Sequence, residues 1–460
     1  MNKNFRYFIV LVFILLYVGP LFLPLTSVQE ARRAEIVQEA IKFGNWLIPH
    51  LNGVPYVTKP PLHSWVTSAL AFLLGISEPV LRLPSFLSAV AILFLVFRLV
   101  RDINGEFAAW LAVLFLFSAP RFYFFAHRVE LEMMLSLFFV SCLYFGLQYL
   151  KTKRWKNLLL AFSAFSLGLF TKGPFILLAL VPPFAYGVIR KERRALKLLH
   201  PVGLFLAALP ALLWYWLVYQ QLGGSDFSEF VWEDLLGRLA TGKRDPFYHY
   251  VGALFVGFLP ESLLLLKLRD FVRVHLSDPL RFFVLLSWLV PLLLLSFTAA
   301  KFSKYLLPLY PFFATSLGIS IAEWLAEREG LWRRAAFILV LVLVSGALLV
   351  EIKGNALRFS SVKKARPYLA YPQIYFLGRV NYLLVFYHGG PIPVLKGPPY
   401  PAGIILEEVR AGLPLRDEGL KLVSEIKPFY RRNHVLRIYF SSGGLEPDSK
   451  LSGIPYHIGN

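Results

Sequence analysis

A polytopic, mainly α-helical membrane protein with a small C-terminal α/β domain is the fold class this sequence predicts. Three observations predict it. The 460 residues are 57% hydrophobic, above the roughly 45–50% of an ordinary soluble domain. The apolar residues come in long runs with short basic clusters at their ends, the pattern of spanning helices with charged loops. After Ile352 the runs shorten to strand length and Gly-Pro turns separate them.

The chain begins with MNKNFRYFIVLVFILLYVGPLFLPLT. This resembles a secretory leader, but the apolar part is too long and no small-x-small cleavage site closes it. It reads as a retained first span. Spanning helices need roughly 17–25 mostly apolar residues. About eleven candidates follow, at 7–26, 79–100, 107–120, 133–150, 157–170, 174–189, 201–219, 248–266, 281–298, 305–323 and 334–351. The run Pro61 to Ile76 is ambiguous, and charge decides it. If it lies in the interface, with Trp65 and His63 at headgroup depth, the bases fall on one side. They are Lys3 and Arg6, Arg98 and Arg101, Lys151 to Lys156, Arg190 to Lys197, Lys267 to Arg273, and Arg328 to Arg334. That is a strong positive-inside pattern and puts the N-terminus in the cytoplasm.

A second set of bases defies that bias: Arg32, Arg33, Lys59, Arg121, Arg128, Lys172, Arg238, Lys243, Arg244, Lys301 and Lys304. They come from distant loops but share the outer face. Such bases are candidates for holding a phosphate at headgroup level, against the plain alternative that outer loops carry some charge. The net charge of +20 needs no nucleic acid, since topology and anionic lipid account for it. Cys142 is the only cysteine, which excludes an internal disulfide or a cysteine-built metal site. No internal repeat supports an inverted-repeat transporter.

The first long polar stretch, Gln29 to Leu62, mixes Glu30, Glu35 and Glu39 with Arg32, Arg33, Lys42 and Lys59. Glu35 and Glu39 share one helical face. Pro55, Pro60 and Pro61 end regular structure. A charged loop against a membrane suits chemistry on an anionic lipid-borne substrate, and equally a solvated connection. From Ile352 the strand-length runs are QIYFLGR, PIPVL, AGIILEEV, LKLVSEI and HVLRIYF, with a short helix from Asn381 to Tyr387. The domain boundaries read as 1–351 for a membrane core whose reactive outer loop is 27–76, and 352–460 for an outer α/β domain. The aromatics of the latter, from Tyr368 to Tyr387, read as core.

Ordered strings run through the first part of the chain: QEARRAEI at Gln29, PYVTKPPL at Pro55, RLPS at Arg82, HRVELEMMLSLFF at His127, TKGP at Thr171, WEDLLGRLATGKRDPFYHY at Trp232 and KFSKYLLPLYP at Lys301. Together they resemble the polyprenyl-phosphate-dependent glycosyltransferases of the GT-C class. The nearest likeness is to the aminoarabinose transferases acting on lipid A, with protein O-mannosyltransferases more distant. The resemblance covers about residues 1–320 and, more loosely, the C-terminal domain.

It implies a sugar donor linked through phosphate to a polyprenol, a glycolipid acceptor, and transfer at the outer face of the inner membrane. Lipid is the surrounding partner, the expected state is a monomer, and nucleic acid has no part. Lys59 matches the phosphate-binding lysine and Arg238 an arginine with the same task. Tyr56 and Tyr305 match tyrosines around the donor, and Arg32 is a further donor-phosphate candidate. The plain reading of Tyr305 is an interfacial aromatic.

The acids depart from the family pattern. Asp-Glu at the head of the first loop is here Gln29-Glu30, and glutamine carries neither proton nor charge. The second acid, usually an aspartate, is Glu132. The acid before the phosphate lysine is Thr58, and a histidine of the aminoarabinose transferases is Glu233. A divalent metal at those positions is left with Glu233 as a lone carboxylate. Gln29, Glu30 and Glu132 remain the catalytic candidates. Three readings stay open: an acceptor that needs less activation, such as a phosphate; a base role moved to Glu30 or Glu132; or a degenerate member with little activity. Glu30 is also simply an acid in a first helical turn, where the dipole favours it. Beside lipid glycosylation stand protein O-glycosylation, a lipid-linked-sugar transporter and a non-catalytic donor-binding protein.

Overall fold

The structure, a computed structural model, describes residues 17–25, 27–223, 245–259, 261–299, 301–326, 363–415, 419–427 and 434–442. The chain folds as two compact units. Met1–Leu21, Val57–Thr67 and Arg82–Leu348 form the first; Phe22–Tyr56, Ser68–Leu81 and Leu349–Asn460 form the second. The helices used below are α1 (Val28–Phe43), α2 (Leu62–Leu74), α3 (Glu78–Ser118), α4 (Leu131–Thr152), α5 (Trp155–Lys172), α6 (Leu268–Leu276), α7 (Pro279–Ser296), α8 (Tyr310–Ala326) and α9 (Tyr382–His388).

The first unit is helical and multi-pass. Among the described residues, six stretches are long and apolar enough to cross a membrane: Glu78–Ser118, Leu131–Thr152, Trp155–Ile189, Ala195–Leu222, Pro279–Ser296 and Ser303–Leu325. The expected spans 79–100 and 107–120 form one 41-residue stretch, α3, interrupted at Gly105 with φ +83° and ψ 177°. Glycine takes that region without a Cβ penalty, so the break needs no loop. Spans 157–170 and 174–189 likewise run together through Gly173 and a 3-10 segment, Gly173–Leu180. The span expected at 248–266 is instead a short helix, His249–Val256, and a 3-10 turn, Glu261–Lys267. Helix α2 has 13 residues, about 20 Å of rise, too short for a bilayer core of about 30 Å. The span expected at 334–351 and most of that at 7–26 lie outside the described residues.

Helices α4 and α5 make an antiparallel pair, turned at Lys153 in the left-handed region. Close helix contact needs small residues. A Cβ on Gly318 of α8 would lie 2.7 Å from the backbone nitrogen of Ala112 in α3, so this crossing depends on the glycine. Polar groups in the core are paired: Tyr17 donates to the Phe117 carbonyl at 2.8 Å, and Trp288 Nε1 to Ser316 Oγ at 3.0 Å.

The second unit contains a five-stranded sheet of β3 (Ile374–Leu377), β4 (Val394–Leu395), β5 (Gly403–Arg410), β6 (Lys421–Ile426) and β7 (His434–Ser441), in the order β4-β3-β5-β7-β6. A two-residue pair, β1 (His50–Leu51) with β2 (Val54–Pro55), stands apart. Strand β3 runs parallel to β4 and β5; β7 is antiparallel to β5 and β6. Each strand matches one of the five apolar runs. Alternation assigns the faces: Ile374, Phe376, Ile404, Leu406, Leu436 and Ile438 pack with Leu384 and Val385 of α9, while Leu377, Ile405 and Tyr439 pack on the other side. Asn381 caps α9, its Oδ1 accepting the Leu383 N–H at 3.0 Å.

Candidate functional site

Helix α1 starts where a cap allows it. Ser27 is extended, and its hydroxyl accepts the Gln29 N–H at 3.2 Å. Glu30 is then the third helical residue, favoured by the dipole at that end. Gln29 is exposed, whereas Glu30 is fully buried. The helix ends at Gly44, left-handed with φ +74°.

On α1, Arg32 lies between two aromatic rings, 5.5 Å from the centroid of Tyr56 and 5.3 Å from that of Tyr382. Arg33 donates to the Tyr56 hydroxyl at 3.2 Å and lies 5.1 Å from the same ring. Both arginines, half-buried, thus face tyrosines. A guanidinium held over rings keeps its in-plane N–H groups directed outward.

The turn behind them is an Asn52-Gly53 hairpin, both residues left-handed with φ +54° and +77°, joining β1 to β2. Glu35 and Glu39 bind its backbone. Glu35 Oε1 accepts the Asn52 N–H at 2.5 Å, and Glu39 Oε1 accepts the Gly53 N–H at 2.9 Å. Both carboxyls are almost fully buried, and their Oε2 atoms have no donor when both are ionised. Burial, and then the charge of Glu39, pushes the Glu35 carboxyl up to about 9. At neutral pH Glu35 is therefore protonated. Its proton supplies the donor that the facing Glu39 oxygen accepts.

The sheet domain clasps the same hairpin. Asn52 Nδ2 donates to the Ile392 carbonyl at 3.0 Å, and the Ile392 N–H donates to Asn52 Oδ1 at 2.8 Å. Lys42 donates to the Gly389 carbonyl just after α9. Tyr387 accepts the Leu25 N–H at 3.1 Å and donates to Glu78 at 3.3 Å. Tyr387 packs against the sheet core as expected and also bonds Leu25 and Glu78, whereas Tyr382 faces Arg32. Sequence reasoning missed Asn52, Tyr382 and Ile392. The Asn-Gly dipeptide between two apolar pairs carried the signal for the hairpin; nothing local pointed to Tyr382 or Ile392.

In the first unit several of the ordered strings meet at Glu132, in the first turn of α4. Its Oε1 accepts from Lys172 Nζ at 2.9 Å and lies 3.3 Å from Lys304 Nζ. The carboxylate is 4% exposed, Lys172 8% and Lys304 31%. Lys172 also stands 5.0 Å from the Tyr305 ring centroid and 5.6 Å from that of Phe175. One carboxylate against two ammonium groups leaves a surplus of positive charge beside an open lysine, an arrangement that attracts a phosphate. Lys301 does different work. Its Nζ donates to the carbonyls of Asp245 at 3.0 Å and Thr298 at 2.7 Å, and its N–H to Asp245 Oδ2 at 3.0 Å. It pins a loop.

Two further members of the strings are structural. Arg82 is buried and donates to the Pro20 and Leu21 carbonyls at 3.3 and 2.8 Å. His127 lies between the carbonyls of Tyr123 (2.7 Å) and Tyr17 (2.9 Å). Burial lowers it to about 4, so the ring is neutral and donates through one nitrogen. Lys59 is half-buried in the first unit, just ahead of α2. Arg238 and Glu233 lie outside the described residues. Thr58 supplies no carboxylate, and among the described residues no group of three or more His, Cys, Asp or Glu gathers as metal ligands.

Known proteins resemble this chain in sequence and in fold. The family model described as dolichyl-phosphate-mannose-protein mannosyltransferase matches residues 58–216. The undecaprenyl phosphate-alpha-4-amino-4-deoxy-L-arabinose arabinosyl transferase of Pectobacterium atrosepticum is 30% identical over 330 residues, 69% of this chain and 58% of that one. The chain thus spans little more than half the length of that relative. An uncharacterized protein of Aquifex aeolicus is 29% identical over 92% of this chain and 82% of its own. The structure of ArnT from Cupriavidus metallidurans bound to undecaprenyl phosphate superposes with a TM-score of 0.74 at 17% identity, covering 97% of this chain and all (100%) of that one. That likeness is one of fold. With the ordered strings and the matches in sequence, it places the chain in the GT-C glycosyltransferases of the aminoarabinose-transferase and protein-mannosyltransferase type.

Proposed function

We propose that this protein transfers a sugar from a polyprenyl-phosphate donor to an outer-leaflet glycolipid, lipid A or its core being the acceptor class that the arabinosyl transferase relatives favour. The observation that carries the reading is Glu132 holding Lys172 and Lys304 with a surplus of positive charge. In the reaction the acceptor oxygen attacks the anomeric carbon while the bond from that carbon to the phosphate oxygen breaks. Charge grows on the leaving phosphate, so fixed cations there act mainly in the transition state.

Lys59, Arg32 and Arg238 hold the donor phosphate, and Tyr56 and Tyr305 flank the donor. Glu132 orients its two lysines, and Glu30 takes the proton of a hydroxyl acceptor; an acceptor phosphate needs no base. Gln29 orients the sugar by hydrogen bonding. The protein acts as a monomer in the inner membrane, with residues 352–460 and the reactive loop outside. A protein acceptor is the second reading, favoured by the match of residues 58–216 to the mannosyltransferase family.

Mass spectrometry of lipid A and core glycolipids, with and without the gene, tests the acceptor. Loss of one sugar increment supports the first reading; unchanged glycolipids with altered glycoproteins support the second. Lys59→Ala is expected to lower kcat/KM at least about 100-fold, as removing one transition-state cation does. Near-normal turnover by a folded Lys59→Ala protein refutes the phosphate assignment.

A further inference from the structure

At the other end of the helical unit lies a second polar site. A cavity of about 560 Å³ opens between α6, the start of α7 and the end of α8, within the size of small-ligand pockets, about 300–1,000 Å³. Helix α7 has 18 residues and so separates this cavity from the Lys304 end of the unit by about 27 Å.

Arg281 forms its floor. The guanidinium donates through Nη2 to Glu323 Oε1 at 2.8 Å and to Asn104 Oδ1. Its Nε is buried without an acceptor, and the buried hydroxyl of Ser320, also in the wall, has no partner. Lys267 stands over the Trp324 ring, 5.2 Å from its centroid. Lys267 and Arg273, both exposed, line the rim with Asp270. Among the described residues no ion pair engages either base.

Unmet donors exceed unmet acceptors here. Three cations face two carboxylates, and Arg281 already occupies Glu323. The surroundings add a second constraint. In α6, Phe271 and His275 are buried while Arg269, Asp270 and Arg273 face outward. An amphipathic basic helix with a tryptophan alongside is the composition of a membrane interface.

We propose that this cavity binds a phosphate group at the membrane edge, Lys267 and Arg273 closing on it from the rim and the Arg281 guanidinium adding positive charge below. An anionic phospholipid headgroup and free phosphate share that chemistry. The site is separate from donor binding and does not rest on the reading of the reaction.

Native mass spectrometry of the purified full chain in detergent tests it, with phosphatidylglycerol or phosphatidylcholine added. The wild type should retain phosphatidylglycerol in preference. K267A/R273A, both at exposed positions, should lose that retention about tenfold or more. K151A/K153A, which removes two exposed bases elsewhere, should leave it intact. The charge reversal R273E should lose it too. Equal retention by wild type and K267A/R273A overturns the proposal, as does an equal loss in K151A/K153A. Millimolar inorganic phosphate distinguishes the sources. If it raises the wild-type Tm but not that of K267A/R273A, and phosphatidylglycerol is not preferred, the ligand is free phosphate. If phosphatidylglycerol is preferred and inorganic phosphate does not displace it, the ligand is lipid.

Discussion

Glu35→Gln isolates the proton shared beneath the Asn52-Gly53 hairpin. The wild-type carboxyl sits about 9 against an ordinary 4.5, raised first by burial and then by Glu39. The group is 1% exposed, so solvent screening takes little away. Between those two values the folded hairpin holds one proton more than the open one. Its stability is therefore fully present below about 4.5, declines as pH rises, and is lost by about 9. At about 1.36 kcal/mol per pH unit the whole window has an upper limit of about 6 kcal/mol, and local opening of the hairpin truncates it. Hydrogen exchange at Asn52 and Gly53 reads the effect, because their N–H groups are the ones Glu35 and Glu39 accept. After correction for the intrinsic rate, wild-type opening free energy should fall across pH 5–9. In E35Q the replacement amide is neutral throughout and still donates to Glu39, so the profile should be flat. A wild type without slope, or an E35Q protein with the same slope, refutes the shared proton.

Substitutions at three other residues probe the remaining contacts. Asn52→Ala removes both bonds to Ile392, leaves that fully buried residue's N–H and C=O unpaired, and replaces asparagine at φ +54° by a residue that tolerates the left-handed region less well. A loss of about 2–5 kcal/mol in local stability follows, read as proteolysis between residues 44 and 56; unchanged cleavage counts against the clasp. Tyr382→Ala should raise the donor KM a few-fold by freeing Arg32, at about 0.5–1 kcal/mol for a cation–π contact, while Tyr382→Phe keeps the ring and the KM. Equal effects of the two would mean that the ring is not what holds Arg32. Glu132→Gln should leave Lys172 and Lys304 un-neutralised at 8% and 31% exposure, costing about 3–5 kcal/mol as for a broken buried ion pair. A thermal-shift measurement should show added polyphosphate recovering part of it; a Tm equal to wild type would remove Glu132 as their organiser.

Membrane character, the C-terminal sheet and the short helix α9 were legible in the sequence because each is local. Hydropathy over twenty residues marks a helix in lipid, strict alternation marks a strand, and Asn381 stands just ahead of the apolar run it caps. Membership of the family was legible too, since short strings kept their order from Gln29 to Pro311. Local chemistry even held the hairpin, in the bare dipeptide Asn52-Gly53. Only tertiary structure decided what the charges do. Lys301 and Lys304 are three residues apart, yet one pins a loop and the other joins Glu132. Glu35 and Glu39 read only as sharing one helical face, and they are a buried pair that binds a turn. Burial and partner choice depend on contacts between residues far apart in the chain, such as Asn52 with Ile392, 340 positions on. No local pattern encodes those contacts, because a carboxylate's charge state depends on the water and cations that folding removes or brings near.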